Sequence, residues 1–120
     1  MDAKIQDPYN TITIFRNAAF SLPVFFETNQ LYAADTSGYS FAFIIAPTKA
    51  DGSFGVPVIT KLNPPIASGW SIYELSKDET ASLVYGTAYS YSVMHKPPQN
   101  DPVVDQIGRV KIVDSPIFPS

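Results

Sequence analysis

The side chains able to do acid–base or metal chemistry are few, and their spacing does not suit it. The sole histidine, His95, lies beside Lys96 and Pro97 at the end of an alternating run. A histidine base needs a nucleophile within reach and a carboxylate to orient the ring. The neighbouring sequence holds neither, so a structural or surface role is expected. Asp78 and Glu79 are adjacent, whereas glycoside hydrolysis needs two carboxyls facing each other across a cleft. Asp101, Asp105 and Asp114 could in principle gather around Ca²⁺, but no Asp-x-Asp-x-Asp-Gly loop is present. With zero cysteines there is no thiolate nucleophile and no Cys-based zinc site. Phosphate-binding Gly loops, nucleophile elbows and His-Glu-x-x-His helices are also missing. The expectation is a protein that is not an enzyme, with no catalytic residue, cofactor or metal.

Binding is the other class of work. Tyr9, Tyr32, Phe54 and Tyr85, together with Trp70, could form a sugar-stacking platform for a host glycan, although a small β-domain also needs aromatics for its core. The net charge of −3 and the lack of any Lys/Arg cluster argue against nucleic acid, which demands phosphate neutralisation. No basic amphipathic stretch points to a membrane surface. Charged residues make up only 16% of a chain that is 45% hydrophobic and holds eight Phe, seven Tyr and one Trp. That leaves more apolar surface than a small solitary domain easily buries, so assembly partners are expected to cover it.

The elements that would position any such surface are organised around residues 76–95. Ser76 and Glu79 have the spacing of a capping box, hydroxyl to the Glu79 amide and carboxylate back to the Ser76 amide, which starts a short helical turn. Gly86 supplies a position that tolerates positive φ and is expected to end that turn. Tyr89, Tyr91 and Val93 then alternate with Ser90, Ser92 and Met94 at the period of a strand. Leu83 and Tyr89, three residues to either side of Gly86, are placed to pack a crossing between two sheets. The Tyr89 hydroxyl would return to nearby backbone as in a tyrosine corner.

Around this centre the chain reads as short strands separated by turn chemistry. Ile12 and Ile14 alternate in a β-branched stretch. Phe20, Leu22, Val24 and Phe26 follow, with Pro23 favouring a sheet edge. Tyr39, Phe41, Phe43 and Ile45 form the clearest strand. Asp51-Gly52 and Gly55 mark a turn, after which Val56, Val58 and Thr60 read as a return strand. Trp70, Ile72 and Tyr73 lead into the capping box. Residues 96–105 read as a proline-bearing loop, and Gly108 precedes a last strand with Val110 and Ile112 on one face. The fold expected is all-β, a single antiparallel immunoglobulin-like sandwich of about seven strands with one short helical turn. Its parts are an N-terminal arm at 1–10, a sandwich at 11–114 and an extended tail at 115–120. Nothing reads as a signal peptide or membrane span, and synthesis in a cytoplasm is expected.

The order of Ile12-Thr13-Ile14-Phe15-Arg16, Asp35-Thr36-Ser37-Gly38-Tyr39-Ser40-Phe41, the run Leu75 to Leu83, Gly86-Thr87-Ala88-Tyr89-Ser90-Tyr91-Ser92-Val93 and Gly108-Arg109-Val110-Lys111-Ile112 resembles small β-sandwich domains of tailed-phage virion proteins. The likeness is to the N-terminal domain of baseplate upper proteins and to tail-fibre attachment domains, over about Thr11 to Val113. Where members of that family often carry Arg-Gly-Asp after the first strand, this chain has Arg16-Asn17-Ala18. The resemblance implies a non-enzymatic adaptor in a virion, in contact with copies of itself and with other virion proteins. The alternative from another class is a carbohydrate-binding sandwich.

Overall fold

The structure, a computed structural model, describes residues 10–25, 38–64, 66–67 and 70–116. Within them eight strands and one helix form two sheets. The strands are β1 (Ile12–Phe15), β2 (Phe20–Phe25), β3 (Ser40–Pro47), β4 (Ile59–Leu62), β5 (Ile66–Ala67), β6 (Trp70–Leu75), β7 (Tyr89–Lys96) and β8 (Val103–Val113), and the helix is α1 (Lys77–Ala81). One sheet has the order β1-β8-β7-β3-β4 and the other β2-β6-β5. Side chains of both meet in one core, in which alternation does the sorting: Phe43 and Ile45 of β3, Tyr89, Tyr91 and Val93 of β7, and Tyr73 and Leu75 of β6 are all buried. Phe43 and Tyr73 meet from opposite sheets with ring centroids 5.4 Å apart. Period-2 patterning thus carries sequence into packing, because a residue and its second neighbour share a face.

The sandwich is all-β but not wholly antiparallel. β1 pairs with β8 in parallel, Ile12 opposite Val110 and Ile14 opposite Ile112. Alternation reports which face a side chain takes and is blind to strand direction, so this pairing could not be read from the pattern. β2 lies at an edge of its sheet, as Pro23 requires. Two strand phases differ from expectation. The return strand begins at Ile59, which is buried, while Val56, Val58 and Thr60 are exposed. β8 starts at Val103, inside the stretch read as a loop, and continues through Gly108. A Cβ on Gly108 would sit 1.9 Å from the Asn10 carbonyl oxygen and 2.7 Å from the Tyr91 ring, so glycine here admits a crossing backbone.

Asn10 belongs to the fold, therefore, with its side-chain amide donating to the Ile107 carbonyl at 3.2 Å. At the other end Asn17 donates to the Ser115 carbonyl at 3.1 Å, and the Ser115 hydroxyl donates to the Arg16 carbonyl. The rest of the expected arm at 1–10 and of the expected tail at 115–120, apart from residues 10, 115 and 116, lies outside the described residues.

Candidate functional site

Local chemistry builds the crossing from β6 to β7 first. Ser76 is the N-cap of α1 and accepts from the Glu79 amide at 3.1 Å, while the Glu79 carboxylate accepts from the Ser76 amide at 2.8 Å. The same carboxylate meets Lys61 of β4 at 2.6 Å. The Lys61 contact and then the cap hold the Glu79 carboxyl below the usual carboxylate range. α1 ends at Ala81, and Gly86 is not its cap: it lies in a separate turn closed by Thr87 N–H on the Val84 carbonyl at 3.1 Å, with φ of 90°. Leu83 and Tyr89 are buried on either side, and the Tyr89 hydroxyl accepts from the Val84 amide at 3.0 Å.

Arg16 closes this region from the far end of the chain. α1 has no basic residue in its last turn, which leaves the carbonyls that follow without a cation of their own. The Arg16 guanidinium reaches them, donating to Leu83 O at 2.7 Å and Ala81 O at 3.0 Å, and its third contact is Asp114 at 2.8 Å. Thr80 adds a hydroxyl bond to Ala18 O at 2.8 Å. Asn17 between them has φ of 67°, a left-handed conformation that glycine takes most easily and asparagine tolerates. No motif marks these contacts in the sequence, since they join residues more than sixty positions apart.

His95 does have a carboxylate. Its Nδ1 lies 2.8 Å from Asp105 of the adjoining strand. A one-residue bulge in the β7–β8 ladder, between Val93 opposite Gln106 and Met94 opposite Val104, makes Asp105 the extra residue and swings it to the ring. The Tyr39 and Phe41 rings stand 6.2 and 6.5 Å from the imidazole, which makes this end of the sheet an aromatic corner. Burial, and then the nearby charge of Asp105, push the Tyr73 phenol up to about 12. Burial also raises Tyr91, offset by a bond from Gln106 Nε2 at 2.5 Å. Asp105 and Asp114 are thus engaged with His95 and Arg16, and the structure gathers no metal-binding cluster among the described residues. Of the aromatics weighed for glycan stacking, Tyr85 is exposed and Phe54 half-buried, while Tyr9, Tyr32 and the Trp70 side chain lie outside the described residues.

The outward face of the five-stranded sheet carries apolar side chains not absorbed by the core. Register places Ala42, Ile44 and Ala46 of β3, Leu62 of β4, Ser90, Ser92 and Met94 of β7, and Val104 and Ile107 of β8 on it. Leu62 is 65% and Val104 44% exposed. Ser90 is bonded to Thr48 at 2.5 Å, whereas the Ser92 hydroxyl is buried and has no partner among the described residues. A shallow cavity of about 230 Å³ opens on this face between Ala42, Ile44, Leu62, Met94 and Pro102. The charges at the face's strand positions are Lys96, Arg109 and Lys111, each exposed.

Comparison with known proteins places little around this chain. No family model matches it, and no curated protein does. Among solved structures it is similar to murine CRIg, at 10% identity and a TM-score of 0.43, over 86% of this chain and 92% of that one.

Proposed function

We propose that this chain is a non-enzymatic structural adaptor of a bacteriophage virion, an immunoglobulin-like module that works through protein–protein contacts. The observation that carries the reading is the outward face of the β1-β8-β7-β3-β4 sheet, which presents Ile44, Leu62, Met94, Val104 and Ile107 together at its surface or half-buried. Apolar surface gathered in this way is a mark of interaction sites. The strand orders support the immunoglobulin-like part. β8-β7-β3-β4 and β2-β6-β5 follow the G-F-C-C′ and B-E-D orders of variable-type domains, and the Tyr89 corner stands at the start of the corresponding strand. The virion part rests on the ordered motifs from Ile12 to Ile112, of which Arg16, Ser76, Glu79, Leu83, Gly86 and Tyr89 sit in the connection just described. A parallel β1–β8 ladder also suits a linking module, since Asn10 and Ser115 lie toward its opposite ends.

Particles purified on a density gradient should carry the chain at a fixed ratio to their capsid protein, and disruption of its gene should give particles that lack a tail or head-associated part. A chain left in the soluble fraction while complete particles form overturns the proposal.

A further inference from the structure

The cations are unevenly spread. The chain is net negative at −3, with eight Lys and Arg against eleven Asp and Glu. Yet the outward strand positions of the five-stranded sheet hold Lys96, Arg109 and Lys111 and no carboxylate; the nearest acids along the chain, Asp105 and Asp114, are turned to His95 and Arg16. Among the described residues the lysines and arginines in ion pairs with carboxylates are Arg16 and Lys61, and none of the three on this face is among them. The outward side of the other sheet is different in kind, with Ser21 opposite Glu74 and Pro23 opposite Ile72.

From this we infer that the outward face of the β1-β8-β7-β3-β4 sheet docks a heterologous protein surface that is apolar at its centre and acidic at its rim. The inference rests on the adaptor reading and names its partner's chemistry. One large apolar side chain of the partner fills the cavity between Ala42, Ile44, Leu62, Met94 and Pro102, as an anchor residue fills a pocket at an interface centre. Carboxylates to either side meet Lys96 at one end and Arg109 with Lys111 toward the other. Cations at a rim steer encounter and reject partners of the same sign. A second copy docked face to face would bring these cations together, and Glu74, the one acid at the described outward positions of the opposite sheet, would leave most of them unmatched.

The test uses the full isotope-labelled chain and two synthetic peptides that share a Leu-Phe-Leu centre, one flanked by glutamates and the other by lysines. The glutamate peptide should shift the amide resonances of Ala42, Ile44, Leu62, Met94 and Ile107, and the lysine peptide should not. Leu62→Glu should abolish the shifts, while Ile72→Glu on the other sheet should leave them intact. Arg109→Glu combined with Lys111→Glu should weaken the glutamate peptide by at least about tenfold and admit the lysine peptide. Equal binding of both peptides, binding elsewhere, no binding, or self-association through these residues would each overturn the inference. A chain that passes this test but is absent from particles sinks the virion reading alone. One that is built into particles yet fails the test sinks the docking face alone.

Discussion

The chain has two arginines, Arg16 and Arg109, in two regions built on opposite logic. Arg16 is drawn under the α1–β7 connection, where its guanidinium meets two main-chain carbonyls and one carboxylate. Arg109 projects from the middle of β8 on the outward face, opposite Ser90. The first region satisfies polar groups internally and so fixes how the two sheets join. The second leaves apolar side chains and cations at the surface. Stability should therefore be concentrated in one region, and sensitivity to a partner in the other.

Paired leucines give the largest contrast. Leu83 is 1% exposed and Leu62 65% exposed. Leu83→Ala should cost about 2–5 kcal/mol as a cavity opens in the core. Leu62→Ala should stay within about 0.5 kcal/mol, as surface changes do. Urea midpoints measure both, and a Leu62→Ala loss approaching that of Leu83→Ala would break the comparison. Next come the arginines. Arg16→Ala removes a charge-assisted donor from the Ala81 and Leu83 carbonyls and should cost roughly 1.5–3 kcal/mol, against about 0.5 kcal/mol or less for Arg109→Ala.

A pH titration sharpens the same contrast, because raised phenols belong to the core. The folded Tyr73 pKa of about 12 lies above its ordinary value of 10.0, so the neutral phenol is favoured by folding. Its contribution is whole below pH 10 and is lost as pH rises toward 12. Thermal melts across that window should fall for the native chain and fall less for Tyr73→Phe. A variant that tracks the native chain throughout would remove Tyr73 from the account. Tyr89→Phe should cost roughly 0.5–1.5 kcal/mol, since the Val84 amide loses its acceptor. An unchanged midpoint would mean that water replaces the hydroxyl without loss.

What could be read in the sequence was local. The capping box at Ser76 and Glu79 is two bonds between residues three apart, and the strands at Phe41–Ile45 and Tyr89–Val93 announce their inner faces by alternation. Ladder direction, by contrast, leaves no mark in a pattern of period 2, so the parallel pairing of β1 with β8 is not legible there. The bulge that brings Asp105 to His95 breaks alternation in Val103-Val104-Asp105-Gln106, so a strand there resembled a loop. The Arg16 contacts and the Asn10 crossing over Gly108 depend on which distant segments meet. The outward face escaped for another reason. A half-buried strand of an antiparallel sheet is expected to be polar outside, and Ile44 and Ile107, which register sets on either side of Ser92 on the outward face, depart from that rule.

The smallest effect separates the two regions most finely, at Ser92. This residue is 4% exposed, sits between Ile44 of β3 and Ile107 of β8, and buries a hydroxyl that has no partner among the described residues. Elsewhere the buried hydroxyls are engaged: Ser90 with Thr48, Ser53 with Asp51, and Thr80 with Ala18 and Lys77. An unmet buried hydroxyl costs the folded state its desolvation, so Ser92→Ala should raise stability by roughly 0.5–1 kcal/mol. Ser90→Ala, one register step away, should lower it by a similar amount, since it strips the partner from Thr48. Matched urea denaturation of the two variants reads the difference in sign. Equal destabilisation by both would mean that the Ser92 hydroxyl is used in the free protein and that the centre of the outward face is finished structure. A gain at Ser92 would mark it as a polar group kept beneath that face at a cost to the folded chain.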